Sequence, residues 1–295
     1  MDRKVALQIV NTTPWQHTME EMAKQGFKYV SFAFSDENTL VGNDWKAYVE
    51  SVGEVIYKNG LKCVMTHSPY TDLLVSAEVR DDKMETAIVN CMEATKMLGA
   101  DLCAVHPRSV IVKGLPREEA VDRRRSLEEN LKSFLPVVDA CEKHGVTLGI
   151  ENLMKYPHAH PSFYSYIVED QCELIDKLGS KKVGAVWDFG HANLVDEDHA
   201  QRILTLGNRI KGTHVHNNDG IEDNHYAPFM PPKNAYYARR TVDWNSVLSA
   251  LKKTGYDGYL TLETILNFDY PIAPYIKYLY ESVCTLYEIL QASEN

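Results

Sequence analysis

Six short apolar runs in succession stop at, or contain near their ends, a residue that can hold a proton or a cation. The run at 61–66 stops at His67, 102–105 at His106, and 146–150 at Glu151. The run at 183–187 stops at Asp188, 210–216 carries His214 and His216, and 259–262 stops at Glu263. Runs of this length and composition read as buried parallel strands. A carboxylate where such a strand ends must be paired, hydrogen-bonded or bound to a metal. Taken alone, Asp188 is explained as the cap of the next helix. Six such ends in one fold are six buried polar groups, each needing a partner. Packing does not account for that, and a shared site does.

Two glutamates, an aspartate and a histidine make a mainly oxygen-ligand set. One divalent ion is expected, Mn²⁺ first, with Mg²⁺ and Co²⁺ also suited and Zn²⁺ admitted by the imidazole. The expected metal ligands are Glu151, Asp188, His214 and Glu263. His216 lies two residues from His214, so in a regular strand both point to the same side. It either supports the ligands or contacts substrate.

The positioning elements follow from the alternation of apolar and amphipathic runs. Strands are predicted over 5–10, 29–34, 61–66, 102–105, 146–150, 183–187, 210–216 and 259–262. Helices are predicted over 18–25, 44–58, 83–98, 116–143, 169–178, 198–206, 243–253 and 274–290. Strands alternating with helices imply a parallel sheet. Eight such units with right-handed crossovers imply a closed (β/α)8 TIM barrel, one domain over 1–295. The first turn, Asn11-Thr12-Thr13-Pro14, is no G-x-G-x-x-G, which argues against a dinucleotide fold. In a barrel, catalytic groups sit at the C-terminal strand ends, where the polar residues fall.

Composition narrows the class. Hydrophobic residues are 44% and charged residues 24%, as in a globular protein with a large core. The net charge of −10 opposes binding to a nucleic-acid backbone, so no nucleic-acid partner is expected. Arg123-Arg124-Arg125, among glutamates, reads as a solvated helix face. The six cysteines make no CxxC pair and read as reduced thiols. No stretch reaches transmembrane length, and the N-terminus lacks a long apolar core. The expected location is the cytoplasm, with no membrane partner.

Five stretches carry a resemblance. They are Gly149-Ile150-Glu151-Asn152; Trp187-Asp188-Phe189-Gly190-His191-Ala192-Asn193; His214-Val215-His216 with Asp219-Gly220; Asp223-Asn224-His225; and Leu262-Glu263. In order and placement they resemble the sugar isomerase/epimerase superfamily, the xylose-isomerase-like TIM barrels that include the endonuclease IV type. The resemblance implies a divalent metal on Glu151, Asp188, His214 and Glu263, with a small-molecule carbohydrate as substrate. It implies that Glu151 and Glu263 act as acid and base. The metal polarises a carbonyl and its neighbouring hydroxyl, stabilising a cis-enediolate. One glutamate removes the α-proton and the other returns it. Return to the same carbon epimerises, and return to its neighbour isomerises.

His67, His106, His191, Asp223 and His225 resemble the additional zinc ligands of the endonuclease branch. In many sugar-active relatives similar histidines meet substrate hydroxyls. These five, with His216, are the expected substrate contacts. Ketose 3-epimerases of the tagatose/psicose type carry a further glutamate and an arginine where this chain reads Leu153-Met154-Lys155-Tyr156-Pro157 and Asn217-Asn218-Asp219-Gly220. The free end of the substrate is therefore held differently. Related barrels often pair as homodimers or homotetramers.

The reading is a metal-dependent sugar isomerase or epimerase. Alternatives are a lyase or dehydratase on a keto-sugar, 3-keto-glycoside or keto-inositol, an abasic-site endonuclease, and a sugar-binding barrel without turnover. The stretch 217–241, rich in Tyr, Pro and Arg, could wall the pocket or form an oligomer contact. Arg239 and Arg240 could bind an anion or lie on the surface. The loop 158–164 could close the pocket or lie against a neighbouring subunit.

Overall fold

The computed structural model describes residues 3–70, 74–76, 82–112, 114–115, 120–155, 162–195, 197–233, 238–266, 268 and 271–293. In chain order the strands are β1 (Val5–Val10), β2 (Tyr29–Ala33), β3 (Lys62–His67), β4 (Leu74–Ser76), β5 (Leu102–Val105), β6 (Ser109–Ile111), β7 (Thr147–Glu151), β8 (Val183–Asp188), β9 (Ile210–Val215) and β10 (Leu260–Leu262). Eight of them close a parallel barrel in the order β1-β10-β9-β8-β7-β5-β3-β2. β4 and β6 form a separate parallel pair, with Leu74 opposite Ser109. The eight-stranded barrel is the expected one. The β4–β6 pair was not anticipated, because three-residue runs carry too little periodicity.

The helices are α1 (Trp15–Gln25), α2 (Asn38–Val41), α3 (Trp45–Lys58), α4 (Asp82–Met97) and α5 (Arg123–His144). They continue with α6 (Val168–Leu178), α7 (Phe189–Asn193), α8 (His199–Leu206), α9 (Trp244–Lys253) and α10 (Ile272–Ala292). The expected helix start at 116 lies outside the described residues, and the described helix begins at Arg123 behind the cap of Asp122. Asp198 and Asp243 cap α8 and α9 through their carboxylates. No helix among the described residues is long and apolar enough to cross a membrane. All six cysteines are free thiols. Arg123 departs from a purely solvated face: it holds the buried Asp170 of α6 through Nε at 3.0 Å.

Strand parity explains the position of the site. One set of strand residues, including Leu7, Phe32, Ile150, Trp187 and Val215, packs outward against the helices. The alternate set fills the barrel, where Met65, Leu102, Ala104 and Val186 form their own apolar plug. Gly149 and Gly212 make room for it. A Cβ on Gly149 would lie 2.5 Å from Val186 Cγ2, and one on Gly212 would lie 2.5 Å from Leu102 Cδ2. Two residues further along each strand the same face carries His67, Glu151, Asp188 and His214. The polar layer thus rests directly on an apolar floor.

Candidate metal centre

Glu151 ends β7, Asp188 ends β8, His214 is in β9, and Glu263 follows β10. Register sets Asp188 beside His214. His214 Nδ1 lies 3.1 Å from Glu151 Oε1, 3.2 Å from Glu263 Oε2 and 4.0 Å from Asp188 Oδ2. One ligand atom from each of the four residues falls within 4.8 Å of all the others. Glu151 Oε1, Asp188 Oδ2, His214 Nδ1 and Glu263 Oε2 are buried and have no hydrogen-bond partner. A buried polar atom left alone costs about 1–3 kcal/mol. Three carboxylate oxygens and an imidazole nitrogen converging without partners fit a divalent cation.

The other oxygen of each carboxylate is spoken for. Asp188 Oδ1 accepts the His191 N–H at 2.6 Å and caps α7. The cap and the ligand readings of Asp188 are therefore compatible, one oxygen for each. Glu151 Oε2 lies 3.2 Å from both His67 Nε2 and His106 Nε2. Glu263 Oε1 accepts from Gln8 Nε2 at 2.5 Å. Asn152 stitches β7 to β8: its Nδ2 donates to the Asp188 carbonyl at 2.9 Å, and the Asp188 N–H donates to its Oδ1 at 2.7 Å. Asn152→Ala removes both of these side-chain links to the Asp188 backbone. We expect it to cost about 1–3 kcal/mol in urea unfolding.

A second cluster adjoins the first: His191, His216, Asp223 and His225. Asp223 Oδ2 lies 3.3 Å from His191 Nε2 and 3.1 Å from His225 Nε2. His216 stacks on His225 at 3.9 Å between centroids, and its Nε2 is 3.1 Å from Asp188 Oδ1. Three imidazoles share one arrangement. The Nδ1–H of His67, His191 and His225 donates to the carbonyls of Ser68, Asn152 and Glu263, at 2.7, 2.9 and 2.8 Å. Each therefore turns Nε2 toward a carboxylate of the site. All ten residues singled out in the sequence meet at one end of the barrel. His225 and Glu263 also line a cavity of about 320 Å³ at the mouth, with Gln8, Thr12, Thr13 and Tyr70. His67, His191 and His216 are buried beneath.

Residues 19–274 match the family model described as xylose isomerase-like TIM barrel. The chain belongs to that family. The uncharacterised protein MJ1311 of Methanocaldococcus jannaschii is 23% identical over 209 residues, 68% of this chain and 64% of that protein. The chain thus spans less than two thirds of that relative's length. The 2-oxo-tetronate isomerase of Haemophilus influenzae is 23% identical over 261 residues, 86% of this chain and 88% of that enzyme. Among solved structures, the 3-keto-D-glucoside 4-epimerase YcjR of E. coli superposes with a TM-score of 0.72 at 17% identity. That superposition covers 96% of this chain and 100% of the epimerase.

In this xylose isomerase-like barrel the charges are set by mutual contacts. Burial alone pushes the Glu151 carboxyl up, but His214 and His106 outweigh it and hold it well below the usual carboxylate range. Burial likewise opposes Asp188, and His191 and His216 bring it down. For His214, burial works against the charged ring, while Glu151 and Glu263 raise it to about 9. His225 is raised to about 10, with Asp223 overcoming burial. His106 goes the other way, because burial dominates there.

Sequence reasoning overlooked Gln8, Ser31 and Tyr70 at this end of the barrel. Their signal was present: a glutamine and a serine inside otherwise apolar buried strands, and a tyrosine three residues past His67. Within the described part of the 217–241 stretch, Asn217 and Tyr226 exchange backbone hydrogen bonds at 2.7 and 2.8 Å. Arg240, weighed as an anion ligand, donates from Nε to the Asn193 carbonyl at 2.7 Å and ties the stretch to the end of α7. Residues 156–161 and 234–237, which include His158, His160, Tyr236 and Tyr237, lie outside the described residues.

Proposed function

We propose that this chain is a divalent-metal-dependent isomerase or epimerase of a sugar or sugar derivative. One observation carries the reading: the convergence of four buried, unpartnered ligand atoms from Glu151, Asp188, His214 and Glu263 beneath an open cavity. These residues would hold the ion, with Mn²⁺ the best match to the oxygen-rich set. When bound, such an ion supplies Lewis-acid polarisation of a carbonyl and an adjacent hydroxyl. Glu151 and Glu263 flank His214, which suits one carboxylate to take an α-proton and the other to return it. Glu263 faces the cavity, and Glu151 lies below it with a carboxylate kept ionised by its imidazoles. The carbohydrate relatives support a small carbohydrate substrate.

A second reading, metal-assisted hydrolysis at an abasic site in DNA, draws on the second cluster and its three tethered imidazoles. The net charge of −10 opposes it. Elemental analysis of protein purified without added metal separates the two. About one Mn, Mg or Co per chain, with exchange of a substrate C–H proton for solvent deuterium, supports the sugar reading. About two or three Zn per chain with abasic-site cleavage would replace it. No metal after adding Mn²⁺ back would end both.

Metal binding should depend on pH in a stated direction. His214 carries a proton up to about pH 9 in the metal-free protein. A cation on Nδ1 must displace that proton, so raising the pH favours the bound form. The apparent Mn²⁺ affinity is expected to rise ~tenfold per pH unit below that point and flatten above it. Titration calorimetry in buffers of different ionisation heat counts the released protons. An affinity flat from pH 6 to 9 would contradict His214 as a ligand.

A further inference from the structure

Gln8 sits inside the strand VALQIV, whose other residues are all apolar. It is 4% exposed, and Ser31 on the neighbouring strand is fully buried. The two are direct partners in the β1–β2 register. The Ser31 hydroxyl donates to Gln8 Oε1 at 3.1 Å, and Gln8 Nε2 donates to Glu263 Oε1 at 2.5 Å. An amide has one accepting end and one donating end. With a hydroxyl on its carbonyl, this amide presents only N–H to Glu263. The carboxylate is thereby turned so that Oε2 points toward Glu151, Asp188 and His214.

Glu263 is the group that needs such a brace. Glu151, Asp188 and His214 lie within strands and are fully buried. Glu263 lies just past the three-residue β10, and its side chain is 19% exposed. Its side chain is the most exposed of the four.

We propose that Ser31 and Gln8 form a positioning relay that fixes the rotation of the Glu263 carboxylate and so sets the affinity of the four-residue centre for a divalent cation. The relay rests on the metal reading above and acts through Glu263, without itself binding the ion. Partners that orient a metal ligand in this way change affinity when removed, typically ~10–100-fold.

The test is Mn²⁺ titration of the full chain and its variants, with the visible spectrum of the Co²⁺-loaded proteins as a report on ligand geometry. Gln8→Met keeps the length and removes the amide. It is expected to weaken Mn²⁺ ~10–100-fold and to shift the Co²⁺ bands. Ser31→Ala frees the amide to turn over and is expected to weaken Mn²⁺ by a smaller factor. It deletes a single hydroxyl, so it carries the test if Gln8→Met does not fold. Unchanged Mn²⁺ affinity in the folded variants overturns the relay. So does a raised KM with unchanged Mn²⁺ affinity, which makes Gln8 a substrate contact. A wild-type chain that binds no Mn²⁺ overturns the metal reading itself, a result distinct from failure of the relay alone.

Discussion

Glu151→Gln should lower the exchange of a substrate C–H proton with solvent deuterium by ~10³-fold, the range lost when a positioned general acid or base is removed. Glu263→Gln should do the same. The two carboxylates differ in their surroundings, so the causes differ. Glu151 has one oxygen at the four-residue cluster and the other between His67 and His106. An amide there loses the charge that holds His214 high, and the Mn²⁺ affinity should fall with the rate. Glu263 keeps one oxygen on Gln8 and faces the cavity with the residue's exposed part. Groups that act as a unit do not add. The double variant is therefore expected to be little worse than the slower single variant. Exchange retained within about tenfold of wild type in both single variants would remove them as acid and base.

Gly190→Ala carries the second large effect. A Cβ at this position would lie 1.9 Å from His216 Cε1 and 2.2 Å from His216 Nδ1. The ring has nowhere to go. It is fully buried, stacked on His225, and set 3.1 Å from Asp188 Oδ1. Alanine is favoured over glycine in a helix by up to about 1 kcal/mol. Overpacking a fixed interior costs about 1–3 kcal/mol, so the steric effect wins. The expected result is a loss of about 1–2 kcal/mol in chemical unfolding, with weakened metal binding as His216 is pushed off Asp188. Gly53→Ala on α3 is the control, because its Cβ would meet only Leu98 Cδ2 at an ordinary 3.7 Å. That change should stabilise by about 0.4–1 kcal/mol. If both substitutions stabilise alike, His216 is not seated against Gly190.

Much of the barrel was legible because buried parallel strands are short, continuous and apolar. Thr147–Glu151 and Val183–Asp188 stand out from their amphipathic flanks at once. Their polar ends were legible for the same reason: an acid closing an apolar run is anomalous. α7 was not legible. Five residues carry no helical period, and its cap is the same Asp188 that the site reading claimed. Gln8 was passed over because a polar residue inside a strand has no visible partner in one dimension, and Glu263 lies 255 positions away. Asn152 was quoted within a motif without a role, since the role is a contact with a backbone 36 positions distant.

By itself the sequence determined the eight strand–helix units and the residue types at the strand ends. Strand periodicity and burial are local properties, and the pattern of side chains along a strand encodes them. Tertiary structure alone decided which atoms of those residues meet. Barrel closure brings β7, β8, β9 and β10 side by side, and the register sets Asp188 against His214. Only then does one oxygen of Asp188 become a helix cap while the other faces the cluster, and only then does Gln8 reach Glu263. Rotation about a side-chain bond is governed by neighbours from distant parts of the chain, and the chain order carries no record of it.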